Sequence, residues 1–151
     1  MVNIDKLKKL RTETGVSFAL CKKALEETKD DPEKAKKLLT KWGAEKITDK
    51  KERETLAGGI FSYVHHNKKV ASLVELLCET DFVSKNAEFQ KLGYELAMQV
   101  ASVPAQNVNE ILKQEYIREP GKPVEDLIKD AVLKFGENIK IGRFIRFSLT
   151  K

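Results

Sequence analysis

The chain has 151 residues, 41% apolar and 34% charged, with a net charge of +5. That length suits one domain, or one with a small appendage, and buries a core without disulfide staples; the composition excludes a disordered tail. No apolar run approaches the ~20 residues of a bilayer span, and the start, MVNIDKLKKLRTETG, lacks the apolar centre of a secretory signal, so the cytoplasm is the expected compartment.

The first segment reads as three short helices. Asn3 or Asp5 caps a helix to about Thr12, with Ile4, Leu7 and Leu10 at helical spacing, and Gly15 breaks it. Ser17 is the N-cap residue for FALCKKALEET, where Phe18, Cys21, Ala24 and Leu25 share a face. Asp31-Pro32 opens the third helix, whose stripe is Ala35, Leu38, Leu39 and Trp42 and whose end is Gly43. Residues 1–45 are thus expected to form a three-helix bundle. The polar stretch ITDKKERET falls in a linker over residues 46–57.

Residues 58–151 change period. GGIFSYVHH and KVASLVELLCE flank the polar tip His66-Asn67-Lys68 and predict an antiparallel hairpin. A helix from Asn86 to Ser102 stops before Pro104, and a shorter one lies in NVNEILKQEYI. Pro123 opens PVEDLIKDAVLKF, which points Val124, Leu127, Ile128, Ala131 and Leu133 inward, with Gly136 just past its end. The last stretch, NIKIGRFIRFSLT, predicts a third strand with Ile139, Ile141, Arg143, Ile145, Phe147 and Leu149 on one face. The fold class is α+β: a helical bundle, then a small antiparallel three-stranded sheet with helices packed on one face.

Motifs for covalent chemistry are absent. Neither a GxxxxGK[ST] nor a GxGxxG phosphate cradle occurs. His65 and His66 are the only histidines, and as neighbours on a strand they would face opposite sides, unable to share a metal. Cys21 and Cys78 stand at a spacing that fits neither a zinc site nor a disulfide framework. No cofactor, metal or catalytic residue is expected, and the protein reads as a binding module rather than an enzyme.

One short stretch stands out, CETDFVSKNAEF, residues 78–89, where an apolar strand ends and a helix begins. A turn there would ordinarily be polar, yet Phe82 sits beside Asp81. On pattern alone, Phe82 either staples the next helix to the sheet or is offered to a partner. The basic first segment leaves a second reading open, a nucleic-acid binder stacking bases on Phe61, Tyr63 and Phe144. A third is an adaptor whose bundle takes ubiquitin-like partners.

Three stretches, in order, resemble the bacterial elongation factor Ts family: TGVSFALCKKALEET, CETDFVSKNAEF and FGENIKIGRF. The first is similar to the family's ubiquitin-associated-like bundle, the second carries TDFV intact, and the third resembles its IGENI segment. Ala19-Leu20 stand where the family often has Met and Asp, and Phe135 where it usually has Ile. The chain matches one of the two core halves that many members carry, the short form. The resemblance implies nucleotide exchange on elongation factor Tu without covalent chemistry, no membrane and no direct nucleic-acid contact. It makes Thr80, Asp81, Phe82 and Val83 a tip that enters the partner near its magnesium and phosphate loop. It makes Phe18, Ala19, Lys22, Phe135 and Gly136 docking contacts, and it implies a homodimer.

Overall fold

The structure, a computed structural model, describes residues 2–50 and 53–149, and the side chains of all of these but 47–50. It falls into two compact units: residues 1–52 with 129–137, and residues 53–128 with 138–151.

The helical unit holds α1 (Ile4–Thr14), α2 (Phe18–Glu27) and α3 (Pro32–Lys50). Each start is capped by a side chain that satisfies otherwise orphaned backbone N–H groups. The Asn3 carboxamide accepts from Asp5 and Lys6, the Ser17 hydroxyl from Leu20, and the Asp31 carboxylate from Glu33 and Lys34. Gly15 ends α1 in the left-handed region, at φ 68°. Leu7, Leu10, Val16, Cys21, Ala24, Leu25, Ala35 and Leu39 form the core, completed by Leu133. Leu38 and Trp42 pack partly buried against it. Ile4 and Phe18, which share the helical spacing of these residues, are exposed. Burial also pushes the Cys21 thiol pKa up, as suits a small apolar core group.

Gly43 does not end α3, which runs to Lys50 and so through the first residues of the expected linker. The glycine is buried, and a Cβ there would collide with the backbone carbonyl of Lys129. It is a point of close backbone approach, a role glycine fills as readily as it terminates helices.

The sheet unit contains β1 (Ala57–Val64), β2 (Val70–Cys78) and β3 (Lys140–Ser148), antiparallel in the order β1-β2-β3. Between β2 and β3 come α4 (Asp81–Ser84), α5 (Ala87–Ser102), α6 (Val108–Lys113) and α7 (Val124–Phe135). The last residues of α7, from Lys129, belong to the helical unit. One face of the sheet packs on α5. Phe61, Val74 and Leu76 meet the α5 side, where Phe89, Leu96, Ala97 and Val100 are buried. The Phe61 ring stands edge-on to Phe89 and Tyr94, with centroids 6.2 and 5.5 Å apart. Gly93 lies directly against that ring.

Two expectations fail in this unit. The apolar residues of β3 do not keep one face. Val74 pairs with Phe144 but Leu76 with Ile141, so β3 carries one extra residue opposite Glu75. This bulge inverts the alternation. Ile141 points to the core, whereas Ile145 and Phe147 beyond the bulge lie on the open face. His65 and His66 also fail to face opposite sides. Both lie past the end of β1, in the turn, where strand alternation no longer holds, and their rings are 4.1 Å apart.

Candidate functional site

The TDFV stretch forms one tight turn of helix at the end of β2. Thr80 is extended and caps α4, its hydroxyl accepting from the Val83 N–H at 3.4 Å. The Thr80 carbonyl accepts from Ser84 N–H and from the Cys78 thiol, and the Ser84 hydroxyl donates to the Asp81 carbonyl. Val83 points inward, 4% exposed, while its neighbour Phe82 is 86% exposed. A turn fixed by its own backbone and by one buried valine therefore holds a phenylalanine outward, and Asp81 beside it is also exposed. Of the two readings of Phe82, the helix-stapling one is corrected: among the described residues the ring stays 86% exposed, and Val83 is the residue that anchors the turn.

The base of the tip is tied from two directions. Glu79 accepts the Asn138 backbone N–H at 2.7 Å and lies 3.7 Å from the Arg53 guanidinium. The buried Asn138 carboxamide donates to the Arg53 carbonyl at 2.9 Å. Asn138 belongs to the FGENI stretch, so the second and third sequence matches meet at the foot of the tip. This part of the arrangement was not read from the sequence, because residues 79 and 138 become neighbours only through the sheet. Beside the tip, Leu56 and Leu77 help line a hollow of about 300 Å³ that also touches Asp81, and Leu56 is strongly exposed.

The five expected docking residues all fall in the helical unit, whereas the four tip residues fall in the sheet unit. Phe18, at the start of α2, is exposed by 44%, with the Arg11 guanidinium 4.7 Å above its ring. Ala19 and Lys22 follow on exposed positions, and Lys22 makes only a loose 4.0 Å pair with Glu26. Phe135 is half-buried under the Lys134 ammonium, 5.6 Å from its ring, and that same ammonium lies over Gly15 between α1 and α2. Gly136 takes φ 71° and is exposed, as expected of a residue just past a helix end.

Among the described residues, none group as three possible metal ligands, and no helix is long and apolar enough to cross a membrane. The aromatics considered for base stacking are not displayed. Phe61 is buried under α5, Phe144 shares that covered face, and the half-buried Tyr63 is hydrogen-bonded to His65.

Residues 79–151 match the family model described as "Elongation factor TS". A protein of Thermosipho melanesiensis named elongation factor Ts is 38% identical over 194 aligned positions, covering 99% of this chain and 99% of its own. The Thermotoga maritima protein of that name is 35% identical, covering 98% and 96%. The one from Aquifex aeolicus is 44% identical, covering 97% of this chain and 52% of its own length. Similarity at that level along nearly the whole chain, with the TDFV turn at the foot of the matched region, is shared descent and not a chance motif: the chain belongs to the elongation factor Ts family of translation elongation factors.

Proposed function

We propose that the protein binds elongation factor Tu in its GDP form and speeds GDP release, so that GTP can rebind. The observation that carries this reading is Phe82, held 86% exposed on a turn anchored by the buried Val83. A phenylalanine left in water at that cost is best explained by a partner that covers it. In the proposed complex, Asp81 and Phe82 enter near the partner's magnesium and phosphate loop, with Thr80 and Val83 holding the turn. Displacing backbone and metal ligands there strips contacts from GDP. Phe18, Ala19, Lys22, Phe135 and Gly136 supply docking area. The protein acts in the cytoplasm without a cofactor and forms no covalent intermediate.

The same reading includes a homodimer, supported by a second surface. The face of the sheet opposite α5 displays Ile60, Val64, Leu73, Ile145, Phe147 and Leu149, all exposed. Six large apolar side chains exposed on one sheet face, around a single Glu75–Arg143 pair, are unusual on a monomer.

Exchange is tested by turnover. A tenth of an equivalent of this protein, added to elongation factor Tu loaded with a fluorescent GDP analogue and excess GTP, should empty the whole population. Release limited to the amount of protein added, or no acceleration by the folded protein, would reject the exchange reading.

A further inference from the structure

At the middle of the open face, among exposed Ile60, Leu73 and Ile145, the β3 bulge sets Arg143 beside Glu75; Ser62 and Lys140 are the other polar residues that the strand register puts on this face. Three hydrogen bonds converge on that one carboxylate. The Arg143 backbone N–H donates to Oε1 at 2.7 Å, Nε donates to Oε1 at 3.0 Å and Nη2 donates to Oε2 at 2.8 Å. The pairing holds the Glu75 carboxyl down to about 2, so the charge persists at any ordinary pH. The two partners are not equally placed. The Glu75 side chain is 20% exposed, whereas that of Arg143 is 89% exposed. Two of the five guanidinium N–H groups are spent on Glu75, in a side chain that stays 89% exposed. Ile60, Leu73 and Ile145 surround the pair and line, with it, a shallow hollow of about 200 Å³.

We propose that the Glu75–Arg143 pair fixes the register of a face-to-face homodimer. Each Arg143 keeps its own Glu75 and offers its remaining N–H groups to the carboxylate of the second copy across the two-fold axis. This rests on the homodimer reading above. A second copy is the occupant that the charge pattern favours. A two-fold interface brings one patch against itself, so a patch with an unbalanced charge at its centre repels its twin. Here the central charges cancel within each copy, while the chain as a whole carries +5. Aliphatic sheet faces, moreover, tolerate several sliding positions. A guanidinium covered by a partner tolerates only those in which its N–H groups find acceptors. The bidentate geometry needs an arginine, because a lysine cannot bridge two carboxylates in a fixed plane.

The test is a charge swap within one chain, E75R together with R143E, which leaves net charge unchanged. Like wild type, the swapped protein should form homodimers with itself. Wild type mixed with swapped protein should not form mixed dimers, since arginine would then face arginine and glutamate face glutamate. Native mass spectrometry of an equal mixture should show mixed dimers falling from the statistical half to below about a tenth. A statistical mixture overturns the proposal while leaving the homodimer intact. Wild type that sediments as a monomer at tens of micromolar removes the homodimer reading, and this proposal with it. Should the swapped chain fail to fold, Arg143→Glu alone is used: it removes the side-chain bonds to Glu75 and sets a like charge beside it, so thermal unfolding first confirms that the variant is folded at the assay temperature. This variant should raise the dimer dissociation constant at least tenfold, and Arg143→Lys should raise it less; an unchanged constant for Arg143→Glu overturns the proposal.

Discussion

Two phenylalanines seven residues apart make the sharpest test of the tip. Phe89 is fully buried between α5 and the sheet, and Phe82 is 86% exposed. Truncating Phe89 to alanine removes core contacts and leaves a cavity, which costs about 3–5 kcal/mol of stability. Truncating Phe82 removes nothing that the free protein uses, so its stability should change by no more than about 0.5 kcal/mol. The loss should appear only when a partner is bound. Full burial of a phenylalanine is worth about 1.5–3 kcal/mol. At about 1.4 kcal/mol per factor of ten, Phe82→Ala should slow protein-stimulated GDP release from elongation factor Tu by about 10- to 150-fold at subsaturating protein. Stopped-flow release of a fluorescent GDP analogue measures that rate, and thermal unfolding measures stability. Phe82→Leu, which keeps most of the apolar area, should recover part of the loss. The reasoning is refuted if Phe82→Ala melts as early as Phe89→Ala, because the ring would then be part of the fold. It is equally refuted if release proceeds at the wild-type rate.

Further outcomes follow from the surroundings of the tip and the sheet. Asn138→Ala removes the donor to the Arg53 carbonyl and should cost about 1–3 kcal/mol in denaturant unfolding, with a slower release rate as the foot of the tip loosens. Thr80→Ala removes the α4 cap, worth about 1 kcal/mol; restoration by Thr80→Ser but not Thr80→Val would identify the hydroxyl as the cause. Gly93→Ala drives a methyl into the Phe61 ring, and overpacking of about 1–3 kcal/mol opposes a helix-propensity gain of about 1 kcal/mol. Combining it with Phe61→Leu should recover stability, and a strictly additive double variant would contradict the contact. The Glu75 carboxyl is lowered from an ordinary 4.5 to about 2 by Arg143, so the pair's contribution is complete above about pH 4.5 and disappears as pH falls towards 2. Acid unfolding curves of wild type and Glu75→Gln should therefore converge at the acid end and stay separated by a constant offset above pH 4.5.

Local chemistry was legible in the sequence wherever it acts over a few residues. Ser17 and Asp31 cap helices as their side chains predict, and Gly136 follows a helix end; Asn86, read as the first residue of its helix, is instead its cap. What was not legible depends on neighbours distant in sequence. Gly43 looks the same in sequence whether it ends a helix or admits the carbonyl of Lys129. The β3 bulge is likewise invisible in KIGRFIRFS, because its cause is the partner strand around Glu75. Without the bulge, Ile141 and Ile145 share a face; with it, one enters the core and the other the open surface. One signal of the second apolar surface was present. The run VASLVELL in β2 is apolar on both faces, as in strands covered on both sides, yet α5 covers only one. At the tip, the motif singled out the four residues, but only the structure separates their roles, with Val83 inward and Phe82 outward.

That separation bears on how much of an exchange reaction one side chain can drive. Weakening a nucleotide ten-thousand-fold takes about 5.5 kcal/mol of differential binding, and Phe82 supplies at most about 3 kcal/mol of it. The remainder has to come from contacts that a GDP-bound partner cannot make. Docking residues in contact before and after GDP leaves contribute nothing to the difference, however tightly they hold, because equal affinity for two states shifts neither. Phe18 and Lys22 thus belong, in the proposed complex, to affinity and recruitment, whereas Asp81, beside Phe82 on the rigid α4 turn, is placed to act on the difference. In the proposed complex the coupling is reciprocal: GDP would loosen the grip of this protein on elongation factor Tu by the factor by which the protein loosens GDP. Truncating a docking residue should then weaken binding to the GDP-bound and empty partner alike. Truncating Phe82 should weaken binding to the empty form alone and lower the ratio of the two affinities, and that ratio, not either affinity, measures the work of the tip.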